Sequence, residues 1–147
     1  MTPLERLLAI DEIKGLRARW SKLVDELRLQ ELKSVLADDA VLDISSTATL
    51  AGKGLEFPAV HGAQAVCDFL EERLSSEKRQ VHIATMPEIH IESDTEARGD
   101  WRQESFIPAQ SRDGKVGIGF GTCEDTYRKI GGRWLIQTMK VRVDQVL

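Results

Sequence analysis

Residues 117–143 read GIGFGTCEDTYRKIGGRWLIQTMKVRV, and this stretch decides the fold. Apolar and polar residues alternate on both sides of Gly131-Gly132, over Val116 to Lys129 and again over Trp134 to Val143. A period of two marks strands. A glycine pair tolerates the positive φ that a tight hairpin turn demands. The two runs therefore predict a β-hairpin. Gly117, Gly119 and Gly121 fall in step along its first strand. Glycine weakens a strand, so this spacing implies a sharply bent sheet or the close approach of another element.

Two more strands precede the hairpin. Gln80 to Glu92 runs through Ser93-Asp94 into Ala97 to Ile107, and a polar tip, Pro108 to Lys115, leads back through Asp113-Gly114. The second half of the chain thus reads as a four-stranded antiparallel meander. The first half is helical. Thr2-Pro3-Leu4-Glu5 carries a capping box with proline at the first helical position. Leu16, Trp20, Leu23 and Leu27 then recur at helical spacing, predicting a helix over 3–27. Leu29, Leu32, Val35 and Leu36 suggest a short second helix ended by Asp38-Asp39, and Ala40 to Ile44 a short strand. Residues 45–61, SSTATLAGKGLEFPAVH, are punctuated by Gly52, Gly54 and Pro58 and read as loop with a short hairpin. Gly62 to Ser75 reads as a third helix. Helices first and a meander second make an α+β domain, one unit over 1–147.

Composition supports a single ordinary core. The 147 residues are 41% hydrophobic and 30% charged, with a net charge of −4. A chain of this length buries about 70% of its unfolded surface. Mild acidity argues against nucleic-acid binding, which calls for a basic stripe. No apolar run approaches the ~20 residues of a membrane span, and the N-terminus lacks a cleavable leader pattern. Cys67 and Cys123 form no framework and read as free buried thiols in a reducing cytoplasm.

Chemistry-bearing residues are few. Of three histidines, His61 precedes a glycine in a loop and His90 alternates with Ile89 and Ile91 toward solvent. His82 shares its strand parity with Ala84 and Met86, an apolar face. Pairing set by Ser93-Asp94 places Met86 opposite Trp101 and His82 opposite Ser105, with Pro87 able to insert a bulge and shift this by one. A histidine on such a face is either a hydrogen-bonded core residue or a general acid/base. Asp25 lies nearly opposite the Leu16–Leu23–Leu27 stripe, so the helical wheel alone makes it a surface acid. Trp20, Trp101 and Trp134 read as core aromatics or pocket walls. No metal-ligand spacing, nucleophile elbow or phosphate loop is present; Gly52-Lys53-Gly54 reads as a turn.

The order of these elements resembles a known family. Arg17-Ala18-Arg19-Trp20, Asp25 five residues after the aromatic, and Asp38-Asp39-Ala40-Val41 are similar to the opening of SnoaL-like proteins of the nuclear transport factor 2-like superfamily. Gly62-Ala63-Gln64-Ala65-Val66 resembles their glycine-led helix, and Val81-His82-Ile83 their histidine-bearing strand. Asp125-Thr126-Tyr127-Arg128 and Gly132-Arg133-Trp134-Leu135-Ile136 resemble their closing hairpin. The resemblance implies a cone-shaped α+β barrel in which a curved antiparallel sheet wraps a long helix around a pocket. Nearest is the scytalone dehydratase and hexachlorocyclohexane dehydrochlorinase branch, where an Asp–His pair abstracts a proton. Asp25 and His82 occupy the matching positions, which turns Asp25 inward against the wheel.

That resemblance implies a cofactor-free dehydratase, lyase or isomerase acting on a small hydrophobic, cyclic molecule, with no metal. Trp20, Met86, Trp101, Cys123, Tyr127 and Trp134 are its candidate substrate contacts, and Lys140 or Arg142 its leaving-group cation. Val24, Ile44, Trp101 and Cys123 stand where scytalone dehydratase has polar groups, so that substrate is not expected. A non-catalytic ligand-binding or dimerisation module and a polyketide cyclase are the alternatives. A homo-oligomer, dimer or trimer, is expected by the same resemblance.

Overall fold

The computed structural model describes residues 1–45, 58–77, 80–107 and 117–147. Helix α1 (Pro3–Asp25) starts where the capping signature places it. The Glu5 N–H donates to the Thr2 hydroxyl at 3.2 Å, and the Thr2 N–H donates to the Glu5 carboxylate at 2.6 Å. The helix stops two residues before the expected Leu27. That residue takes φ 60°, a left-handed conformation that no helix continues through. Its buried side runs through Ala9, Ile13, Arg17, Trp20, Leu23 and Val24, so an arginine interrupts the apolar stripe.

A 3₁₀ turn, Leu29–Ser34, stands in place of the expected second helix. Strand β1 (Leu36–Asp43) begins four residues earlier than expected and takes in the acid pair. Asp38 and Asp39 are both exposed within it, and the pairing with β6 shifts register between Leu36 and Val41. An irregular stretch turns the two acids outward instead of ending the element. Strand β2 (Val60–His61) follows, so His61 lies in a strand, and then α2 (Ala63–Arg73), entered through Gly62 at φ 99°. Residues 46–57 of the expected 45–61 loop and the polar tip Pro108–Lys115 lie outside the described residues.

The meander comprises β3 (Val81–Ile91), β4 (Glu96–Ile107), β5 (Gly117–Ile130) and β6 (Arg133–Val146). Gly131 and Gly132 carry the β5–β6 turn at φ 58° and 78°, as the hairpin requires. The six strands form one curved sheet in the order β2-β1-β6-β5-β4-β3. It is not wholly antiparallel, because β1 and β6 run parallel. The chain leaves β1 through β2 and α2 to the far edge at β3, then returns by hairpins, and the last hairpin strand arrives beside β1 in its own direction. Helix α1 packs against β3 and β6.

Of the three strand glycines, Gly121 has a clear steric reason. A Cβ there would overlap the Arg142 carbonyl and come within 2.8 Å of the Val143 Cα, where the ladder slips between Phe120 and Gly121. Gly119 has ordinary room, 3.6 Å from Val143.

Candidate functional site

Beside its buried stripe, α1 carries a second one: Lys14, Ala18, Ser21 and Asp25, spaced by four, three and four. That spacing aligns them on one helix face. The small residues in the middle leave space between α1 and the sheet. A cavity of about 490 Å³ opens there, lined by Lys14, Arg17, Ala18 and Ser21 of α1, by His82, Ile83, Ala84 and Pro87 of β3, and by Trp101 of β4. Its size falls within the ~300–1,000 Å³ of small-molecule sites.

At the end of the stripe, Asp25 grips His82 twice. The His82 backbone N–H donates to Oδ2 at 3.0 Å, and Nδ1 lies 2.7 Å from Oδ1. A carboxylate only accepts, so Nδ1 is the protonated ring nitrogen in the neutral imidazole. Nε2 is then the nitrogen with a free lone pair and no commitment to Asp25. The His82 side chain is 20% exposed and Asp25 21%, so the pair is reachable yet partly withdrawn from water. His82 faces Ser105 in the ladder, as expected. Asp25 faces inward because the real buried stripe, through Ile13, Arg17, Trp20 and Val24, is rotated from the one used for the wheel.

A second polar group lies behind the wall. Arg17 is 2% exposed. Its Nη2 donates to Gln103 Oε1 at 2.6 Å and its Nη1 to the Met139 sulfur at 3.7 Å. Nε stands 3.5 Å from Asp125 Oδ2 without a hydrogen bond. Asp125 accepts from the Tyr127 hydroxyl at 2.8 Å and from the Cys123 thiol at 3.0 Å. The Tyr127 oxygen in turn accepts from Trp101 Nε1 at 2.9 Å. Gly99 makes this possible: a Cβ there would press within 3.1 Å of Trp101 Nε1 and 3.2 Å of the Tyr127 ring.

Burial, reinforced by the Asp125 charge, pushes the Tyr127 hydroxyl far above the ordinary tyrosine range. Burial likewise pushes the Cys123 thiol well up. Both stay protonated donors. Burial by itself works to lower the Arg17 pKa, but the Asp125 charge, with Cys123 and Tyr127 behind it, leaves it raised.

Of the candidate contacts, only Trp101 lines the cavity. Tyr127 and Cys123 lie one layer behind it, turned to Asp125. Trp20 and Trp134 belong to the core. Met86 is a correction. It does not oppose Trp101: the β3–β4 ladder breaks between Thr85 and Glu88, and Met86 sits in the bulge at φ 46°, 70% exposed. Pro87 has no N–H for the ladder, and the bulge absorbs it. Lys140 and Arg142 do not line the cavity, and Arg142 pairs with Asp144 at 3.0 Å. Arg98 and Asp100 point outward and pair with each other, as their parity implies.

Lys14, Arg17, Ser21, Gln103 and Asp125 escaped sequence reasoning. The signals were the Lys14–Ala18–Ser21–Asp25 spacing and the shared parity of Cys123, Asp125 and Tyr127. Among the described residues no group of three or more His, Cys, Asp or Glu side chains is placed to hold a metal ion. No helix among them is long and apolar enough to cross a membrane.

The model of the SnoaL-like domain matches residues 5–140. The chain belongs to the SnoaL-like domain family. Solved structures share its fold at low identity. A hexachlorocyclohexane dehydrochlorinase, LinA type 2, is 16% identical over 99% of this chain and 92% of its own, with TM-score 0.83. A Novosphingobium aromaticivorans protein described provisionally as a scytalone dehydratase is 18% identical over 99% and 91%, with TM-score 0.82. A Xanthomonas campestris protein, described provisionally as a calcium/calmodulin-dependent protein kinase II association domain, is 15% identical over 90% and 86%, with TM-score 0.71. This SnoaL-like chain thus shares its fold with proteins described as enzymes and with one described as an association domain, and the site has to carry the functional argument.

Proposed function

We propose that this SnoaL-like protein is a cofactor-independent lyase, dehydratase or isomerase acting on a small, largely apolar, cyclic molecule. The observation that carries the reading is the doubly hydrogen-bonded Asp25–His82 pair at the edge of the cavity. His82 Nε2 takes a proton from a substrate carbon next to an activating group. The electron pair of that C–H bond moves into the activating group, or forms a double bond while a leaving group departs from the neighbouring carbon. The imidazolium then returns its proton to the substrate or to the leaving group. Asp25 holds the ring in the tautomer that offers Nε2 and stabilises the imidazolium. Such acid–base help is worth about 10²–10⁴-fold, and the cavity adds positioning. The folds of the dehydrochlorinase and of the scytalone dehydratase-like protein support the same class. A free-thiol, cytoplasmic protein that self-associates is part of this proposal.

The test is proton exchange. Cyclic carbonyl, hydroxy and halo compounds are incubated with the protein in deuterium oxide and followed by NMR. The wild type washes out one C–H signal or forms an alkene. His82→Ala reduces that rate by about 10²–10⁴-fold. An unchanged rate in the variant ends the base assignment.

A second reading, a ligand-binding or assembly module, draws on the fold shared with the Xanthomonas association-domain protein. It gains if no compound exchanges and one binds unchanged.

A further inference from the structure

We infer that Lys14 and Arg17 form an anion subsite, so that the molecule taken into the cavity carries a carboxylate on an apolar body. This rests on the reading of the cavity as a substrate site and names the substrate class. The two cations lie three residues apart on α1, a spacing that puts them on one helix face, and both line the cavity. Among the described residues no carboxylate side chain lines it.

The Arg17 guanidinium has five N–H donors. Gln103 takes one from Nη2 and the Met139 sulfur one from Nη1, the second a weak acceptor. Nε makes no hydrogen bond. One hydrogen each on Nη1 and Nη2 of an arginine 2% exposed is therefore without an acceptor among the described residues, while Nε faces Asp125. Asp125 balances the charge from behind, at 3.5 Å, with its own oxygens already receiving Tyr127 and Cys123. Lys14 makes no ion pair among the described residues. Leaving buried donors unmet is costly, and a buried charge with spare donors on a cavity wall is built to receive an acceptor from within it. A planar carboxylate matches the guanidinium fork in a way that a neutral carbonyl does not. The remaining wall, Ala84, Pro87 and Trp101, suits an apolar ring.

Benzoate and cyclohexanecarboxylate, each against its primary amide, separate charge from shape. Titrations followed by calorimetry on the wild type are expected to favour the acids by about tenfold or more. Lys14→Met, at an exposed position, weakens the acids about tenfold and leaves the amides unchanged. Arg17→Lys weakens them further where it folds, since the fork is lost. Amides binding as well as acids overturn the subsite. So does a Lys14→Met variant that binds acids normally, and so does the failure of either acid to bind at millimolar concentration. Acids that bind but never exchange overturn the His82 base and leave the subsite standing. Exchange of neutral compounds with no preference for acids does the reverse.

Discussion

Asp25 and Asp125 each contact a side chain that lines the cavity, His82 and Arg17 respectively, and the same aspartate side chain is used in contrasting ways. Asp25, at the last turn of α1, is 21% exposed and spends both oxygens on His82. Asp125, in the middle of β5, has a fully buried side chain and is shared among Tyr127, Cys123 and Arg17. The first holds a group whose free nitrogen borders the cavity. The second neutralises a guanidinium and is held by donors that burial keeps protonated. The difference teaches that depth, and not residue type, separates a carboxylate that holds a reachable imidazole from one that fixes a wall. Water near Asp25 weakens each of its interactions. Around Asp125 the low dielectric makes every unmatched charge expensive.

Three experiments break or sharpen this contrast. Asp125→Ala strands the Arg17 charge in the interior and is expected to cost about 3–5 kcal/mol, against about 1 kcal/mol for Asp25→Ala, which removes hydrogen bonds at a half-open edge. Urea denaturation of both variants measures this, and equal losses would erase the distinction. Next in size is Gly99→Ala. Its methyl crowds Trp101 and Tyr127, and overpacking of this kind costs about 1–3 kcal/mol. A variant as stable as the wild type would show that the network has slack.

The smallest effect is an alkaline limb. Unfolded, a cysteine titrates near 9.0 and a tyrosine near 10.0. Folded, Cys123 and Tyr127 keep their protons to higher pH, and burial raises Cys67 in the same direction. Above pH 9 the unfolded chain therefore holds fewer protons than the folded one, and raising the pH favours unfolding. Stability present below pH 9 declines above it, by at most about 1.4 kcal/mol per pH unit per group. Tyr127→Phe removes one of these protons and should flatten the decline above pH 10. A slope identical to wild type would mean that Tyr127 titrates normally.

Much of the fold was legible because its signals are local. The Thr2–Glu5 capping box, the Gly131-Gly132 turn and the strands of the meander each depend on neighbours in sequence, and each forms. The His82–Ser105 pairing followed from counting outward from one turn. The start of β1 was not legible: Asp38-Asp39 reads as a helix stop until β6 is available to pair around it. Nor was the fate of Met86, since Pro87 announces a bulge without saying which residue leaves the ladder.

The site divides along the same line. His82 was visible as the one histidine on an apolar face. Asp25 came from resemblance alone, because the wheel was measured against Leu16 and Leu27, one half-buried and the other past the helix end. Arg17 was hidden by its type, since arginine reads as surface by default. The sequence by itself determined the helices-first, meander-second order, because periodicity and turn chemistry act over a few residues, and its motifs carried the resemblance that pointed to the family and to Asp25 and His82 as candidates. Only the tertiary structure decided that the two meet, that Arg17 is buried with spare donors, and that a cavity lies beside them between α1 and the sheet. Depth and facing are properties of what packs on top, and that partner comes from strands 57 to 122 residues away.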